Sequence, residues 1–182
     1  RADLRERLAA ASSLAPVLRP RVVAVVGASR EPAAVGNMVF RNLLAAGFAG
    51  TVYPVNPQAA SVHGVKAYPS LAELPESIDL AIITVPAESV QDVAERAIER
   101  GARGLVVMSA GFAEAGPEGA ARQQRLVELV RAHGVRLVGP SCLGFMNASP
   151  EVRLNASLAP TLAPRGRVGF FSHSAALGLV IL

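Results

Sequence analysis

The feature that most constrains this chain is Val22-Val23-Ala24-Val25-Val26 running straight into Gly27-Ala28-Ser29-Arg30. An unbroken β-branched run with no polar alternation suits a strand covered on both faces, as in a parallel sheet flanked by helices. Gly27 lets the chain turn tightly where the strand ends. A helix pattern opens near Gly36-Asn37, so its free N–H groups would face the space above the strand, a place for a phosphate. A Gly-x-Ser and the distant Gly36 stand in for the G-x-G-x-x-G of dinucleotide sites. At this point a phosphate cradle and a plain scaffold turn are both open.

The same pattern repeats downstream. Strands are expected at 51–55, 80–85, 105–108 and 135–138, recurring every ~25–30 residues as in βαβ units. Helices are expected over 37–46, 88–100 and 117–133, with Gly47, Gly101 and Gly134 just beyond their ends and Pro117 opening the last. Ser70 is expected to cap a short helix at 71–74. Pro54 cannot donate to a ladder, which puts strand 51–55 at an edge or a strand end. The fold class is α/β, a Rossmann-like doubly wound parallel sheet.

Four segments follow. Residues 1–18 read as a linker or amphipathic helix, with Leu4, Leu8 and Ala11 on one face. Residues 19–146 form the Rossmann-like domain. Residues 147–166, punctuated by Pro150, Pro160 and Pro164, read as an interdomain crossing. Residues 167–182 read as the truncated first βα unit of a second, flavodoxin-like α/β domain, with a strand over 168–171 and a turn at Ser172-His173-Ser174. Arg1 and the apolar run closing at Leu182 lead us to expect a piece of a longer chain.

The formal charge of +4 does not argue for nucleic acid. Arg1, Arg5, Arg7, Arg19 and Arg21 face only Asp3 and Glu6, so most of the excess sits in the leader, and no basic face is interleaved with aromatics. No apolar run approaches a membrane span of ~20 residues. The lone Cys142 cannot form an internal disulfide, which fits a reducing cytoplasm. His63, His133 and His173 are scattered, and with one Cys they offer no metal-ligand spacing.

In such sheets, ligands bind beyond the carboxyl ends of the strands. Those loops hold Gly27, Ala28, Ser29, Arg30 and Gly36; Asn56, Pro57 and Gln58; Val85 and Pro86; Ser109, Ala110, Gly111 and Phe112; and Ser141 and Cys142. Few of these side chains can do acid–base work, which favours a ligand cradle over a catalytic centre. A NAD site wants a carboxylate at the end of the second strand for the ribose hydroxyls. Asn56 stands there instead, and a neutral amide does not repel a ribose phosphate. The ligand is therefore better sought among phosphorylated nucleotides such as NADP or coenzyme A. Cys142 has no His tied to it by sequence and reads better as a small packed residue than as a nucleophile.

Seven ordered stretches then resemble the coenzyme A-binding domain of NDP-forming (ADP-forming) acyl-CoA synthetases, the superfamily of the succinyl-CoA synthetase alpha subunit. They are Val25-Val26-Gly27-Ala28-Ser29, Tyr53-Pro54-Val55-Asn56-Pro57, Gly64-Val65-Lys66-Ala67-Tyr68-Pro69-Ser70-Leu71, Thr84-Val85-Pro86-Ala87, Ser109-Ala110-Gly111-Phe112, Gly139-Pro140-Ser141-Cys142-Leu143-Gly144 and Ser172-His173-Ser174-Ala175-Ala176-Leu177-Gly178.

The resemblance implies that the 27–36 loop holds the pyrophosphate of coenzyme A or acyl-CoA. Asn56-Pro57-Gln58 would lie by the adenosine, and the Val85-Pro86 and 109–112 loops would guide the pantetheine. Loops 140–144 and 172–178 would approach the reacting centre. It also implies that the phosphorylated histidine and the ATP-grasp part lie outside these residues, so ATP or ADP would enter only through absent domains, in the same or a partner chain. No residue here is assigned a catalytic or metal-binding role, and a homo-oligomer stays open. Where the family usually has Asn, Ser141 stands; where it often has Lys, Gln58 stands, with Arg30 or Lys66 as candidate substitutes. The last motif reads Ser-His-Ser-Ala rather than Ser-Gln-Ser-Gly. These departures bear on synthetase activity more than on coenzyme A binding. Two other roles are weighed: a ligand-sensing module fused to a GNAT-type protein lysine acetyltransferase, and an NAD(P)-binding oxidoreductase or redox-sensor domain.

Overall fold

The computed structural model of the protein describes residues 12–174 and 177–178. Its centre is a five-stranded parallel sheet: β1 (Val22–Val26), β2 (Thr51–Val55), β5 (Leu80–Ile83), β6 (Gly104–Val107) and β7 (Arg136–Val138), in the spatial order β2-β1-β5-β6-β7. Between β2 and β5 lies a small antiparallel pair, β3 (Ser61–Val62) with β4 (Val65–Lys66). Past β4, Tyr68 makes a single parallel bridge to Val55. With that bridge as the remnant of a strand outside β2, the order follows the Rossmann scheme, whose switch point falls between β1 and β5.

Alternation within the apolar strands explains why they read as continuous runs. Ala24, Val26, Ala81 and Ile83 face one core, with Val90, Ala94 and Ala97 of α3 (Ala87–Glu99) and Leu126 and Val130 of α4 (Pro117–Ala132). Val23, Val25, Leu80 and Ile82 face the other, with Val39, Phe40 and Leu43 of α2 (Val35–Ala46). β2 is an edge strand of the sheet, as its proline requires.

The stretch expected as an interdomain crossing begins as domain core. β8 (Gly144–Asn147) and β9 (Leu154–Ser157) form an antiparallel hairpin, and Val152, Leu154, Ala156 and Ala159 are buried beside α2. Buried Asn42 of α2 donates through its Nδ2 to the carbonyls of Ser157 and Ala159, at 2.9 and 3.0 Å. The prolines at 150 and 160 flank this strand rather than mark a free linker. The strand expected over 168–171 is not formed: strands exist by pairing, and no described strand lies beside it, so Val168 and Phe171 stay exposed. The turn after it does form. Ser174 accepts from the Leu177 N–H on its Oγ and from the Gly178 N–H on its carbonyl, as at a helix start.

At the other end, α1 (Ala15–Leu18) is held down. Val17 is buried against the face where Gly104 has no Cβ, and the Leu18 carbonyl accepts from Asn147 Nδ2. The amphipathic positions Leu4, Leu8 and Ala11 lie outside the described residues, as does Ala175. Ser70 caps nothing with its side chain; its Oγ meets Glu73 Oε1 at 3.1 Å, and a 3-10 turn (Leu71–Glu73) replaces the expected helix. Among the described residues no helix is long and apolar enough to cross a membrane.

Candidate functional site

All five predicted loops emerge along one edge of the sheet, at the carboxyl ends of β2, β1, β5, β6 and β7. The glycine loop after β1 is built by close approach. Gly27 has φ +91°, and its N–H continues the ladder to the Val55 carbonyl at 3.0 Å. A Cβ on Gly36 would lie 2.1 Å from the Gly27 carbonyl oxygen, so this glycine lets α2 start directly against the end of β1. Gly36 itself is buried. Its place is helix-to-strand packing, as for the third glycine of a dinucleotide fingerprint. α2 begins at Val35, two residues before the expected start, with no side-chain cap on its N-terminus.

Two amides pin the loop. Asn56 Nδ2 donates to the Ala28 carbonyl at 2.6 Å, and Asn37 Nδ2 donates to the Ser29 carbonyl at 2.8 Å. Asn56 Oδ1 in turn accepts from the Gln58 N–H at 2.8 Å, a side-chain turn of the Asx kind. Asn56 is thus both turn residue and loop staple, and it presents no carboxylate to a ribose. Thr84, at the end of β5, donates from Oγ1 to the Val26 carbonyl at 3.0 Å, directly under the two glycines.

A cleft of about 360 Å³ opens here. Gly27, Asn56, Pro57, Gln58 and Val85 of the predicted set line it, joined by Pro69, Ser70, Leu71 and, from α3, Asp92, Val93 and Arg96. None of these three α3 residues is in the predicted set, which was drawn only from the loops beyond the strand ends. The Asp92–Arg96 spacing of an i,i+4 pair was the available signal. Arg30 and Pro86 are exposed nearby in sequence but are not among the lining residues.

The loops after β6 and β7 lie next along the edge, and they are tied together by a residue the sequence did not single out. Glu114 Oε1 accepts from the Gly111 N–H (2.7 Å), the Phe112 N–H (3.2 Å) and the Ser141 hydroxyl (2.5 Å). The Ser141 hydroxyl foremost, then the backbone N–H donors, hold this exposed carboxyl down at about 2. Ser109 Oγ donates to the Val85 carbonyl at 2.5 Å, joining this loop to the one after β5. Ala110 is exposed.

Three predicted site residues keep their side chains from any ligand. Phe112 is fully buried in the core with Leu126 and Val130, and Ala28 is fully buried on the other face. Both can offer only backbone. The Cys142 thiol turns inward, its Sγ 3.4 Å from the Val107 carbonyl and 3.8 Å from that of Val138, and burial pushes its pKa up. His63 stacks on Phe40, and His133 ends α4. Among the described residues no His, Cys, Asp and Glu cluster could hold a metal ion.

A glycine turn, an uncapped helix start and a cleft at the switch point define a Rossmann-like nucleotide-binding domain. The family profile described as "CoA binding domain" matches residues 21–148, and the chain belongs to that family. It is 45% identical, over 90% of its length, to acetate–CoA ligase [ADP-forming] I of Archaeoglobus fulgidus, of which it covers 23%. It is 44% identical, again over 90% of its length, to the alpha subunit of acetate–CoA ligase [ADP-forming] II of Pyrococcus furiosus, covering 35% of that protein. The solved acetyl-coenzyme A synthetase 1 of Ca. Korarchaeum cryptofilum, in complex with phosphate and ADP, superposes with a TM-score of 0.86 at 38% identity, over 92% of this chain and 35% of that one. The chain therefore spans about a quarter to a third of these relatives.

Proposed function

We propose that this domain binds coenzyme A or acyl-CoA along the carboxyl edge of its sheet and serves an ADP-forming acyl-CoA synthetase-like protein. The adenosine half occupies the cleft between Asn56-Pro57-Gln58 and α3. The pyrophosphate meets the Gly27–Arg30 turn and the uncapped start of α2. The pantetheine runs past Val85-Pro86 towards the 109–112 and 141–142 loops. Adjacent strands lie ~4.8 Å apart, so four strand ends from β2 to β6 span roughly 14 Å, room for an extended ligand rather than a compact one.

One observation carries this reading: five of the predicted loop residues, Gly27, Asn56, Pro57, Gln58 and Val85, line a cleft at the β1/β5 switch point, within the segment matched by the coenzyme A-binding family. These residues cradle and orient; they supply no nucleophile, and Cys142 faces inward. The reaction proposed for the longer protein joins an acid to coenzyme A as a nucleoside triphosphate is split to diphosphate and phosphate, with the transferring groups on other domains. The single, inward-facing Cys142 suits a cytoplasmic setting.

Isothermal titration of the chain with coenzyme A, NADH and NADPH tests the assignment. Coenzyme A should bind and the nicotinamide nucleotides should not. Tight NADH binding with no response to coenzyme A would overturn the proposal and favour an oxidoreductase or sensor.

A further inference from the structure

Arg96 is the one cation among the described residues that line the cleft. It shares that cleft with Asn56-Pro57-Gln58, which follow β2, the strand whose end reads the ribose in folds of this type. The two cations that the sequence offered for this task are placed otherwise. Lys66 Nζ lies 5.1 Å from the centroid of the Tyr68 ring, and Arg30 is exposed outside the lining.

The Arg96 head is also oriented. Its Nε lies 3.1 and 3.0 Å from the two Asp92 carboxylate oxygens, one turn earlier on α3. Its two terminal nitrogens make no hydrogen bond to the described residues. Asp92 therefore anchors the inner edge of the guanidinium and leaves the outer fork open. A planar fork with two parallel N–H donors matches a phosphate monoester better than it matches a hydroxyl. Asp92 offsets part of the charge, so Arg96 discriminates through geometry as well as attraction.

We infer that Arg96 is the residue that reads the ribose 3′-phosphate, making this site selective for coenzyme A over its dephosphorylated form. The inference rests on the coenzyme A reading above and adds the residue and the ligand group it recognises. A ribose phosphate is the group in question because Asn56 puts no carboxylate at the end of β2, and the one carboxylate in the lining, Asp92, is held by Arg96.

The test is titration calorimetry of the full chain with coenzyme A and with dephospho-coenzyme A, for the wild type, Arg96→Met and Arg96→Lys. Position 96 is exposed on a helix, so circular dichroism should show the variants folded. The wild type should prefer coenzyme A by about tenfold or more, the scale of one charge-assisted bidentate contact. Arg96→Met should erase that preference by weakening coenzyme A alone, with dephospho-coenzyme A changed less than about twofold. Arg96→Lys should keep part of it, as a charge without a fork. A wild-type preference that survives in Arg96→Met, an equal loss for both ligands, or no wild-type preference overturns the inference while the coenzyme A reading stands. A wild type that binds neither ligand overturns both.

Discussion

The Ser141 hydroxyl donates to Glu114 at 2.5 Å, across 27 residues of chain, and so latches the loop after β7 to the loop after β6. The latch has a defined acid range. Glu114 titrates at about 2 when folded, below its ordinary 4.5, so its contribution to stability is complete above about 4.5 and is lost as pH falls towards about 2. Glu114→Gln should melt below the wild type at pH 6, with the gap closing by about pH 2. Thermal unfolding followed by circular dichroism checks this; a gap that persists unchanged in acid assigns the effect to shape rather than charge.

Gly36 should tolerate no side chain. The Cβ of Gly36→Ala would sit 2.1 Å from the Gly27 carbonyl, so α2 must move or the loop must open. A loss of about 3 kcal/mol in urea unfolding is expected, the upper range for overpacking, together with loss of coenzyme A binding. Gly64→Ala is the contrast. Gly64 has φ +79° but nothing within 4 Å of a Cβ, so only the backbone penalty of about 1 kcal/mol applies.

Asn42 ties the β8–β9 hairpin to α2. Asn42→Leu removes the side-chain donor to the Ser157 carbonyl and one of two to the Ala159 carbonyl, which keeps Asn155 Nδ2, and should cost about 2 kcal/mol. Hydrogen exchange should quicken across residues 144–159 while β1 and β5 stay protected. Uniform quickening across the sheet would show that the hairpin unfolds only with the whole domain.

The inward Cys142 thiol should react slowly. Burial raises its pKa and its Sγ lies against two backbone carbonyls, so less thiolate is present and less of it is reachable. Alkylation at pH 8 should run at least about tenfold slower in the native protein than in urea. Equal rates would place the thiol at the surface.

The strand and helix positions and the glycine loop were legible because each follows from local pattern. Val22–Val26 and Leu80–Ile83 are apolar throughout because helices cover both faces, and Pro54 marks an edge. Asn56 was found by its place at the end of β2. Arg96 was not, because a helix face that lines a cleft has the same polar pattern as one turned towards open water. Glu114 was missed for a related reason: the Ser141 hydroxyl that it accepts from is remote in sequence, and spacing carries no sign of it.

The hairpin at 144–157 marks the same boundary. Small residues and prolines read as a crossing, since nothing local says that Leu154 and Ala156 meet α2. Periodicity and turn chemistry are short-range and were enough for the class of fold and the edge where a ligand is proposed to bind. Which side chains line the cleft, which loops are latched and which thiol is hidden depend on pairs that meet only after the sheet has formed, and these only the tertiary structure decided.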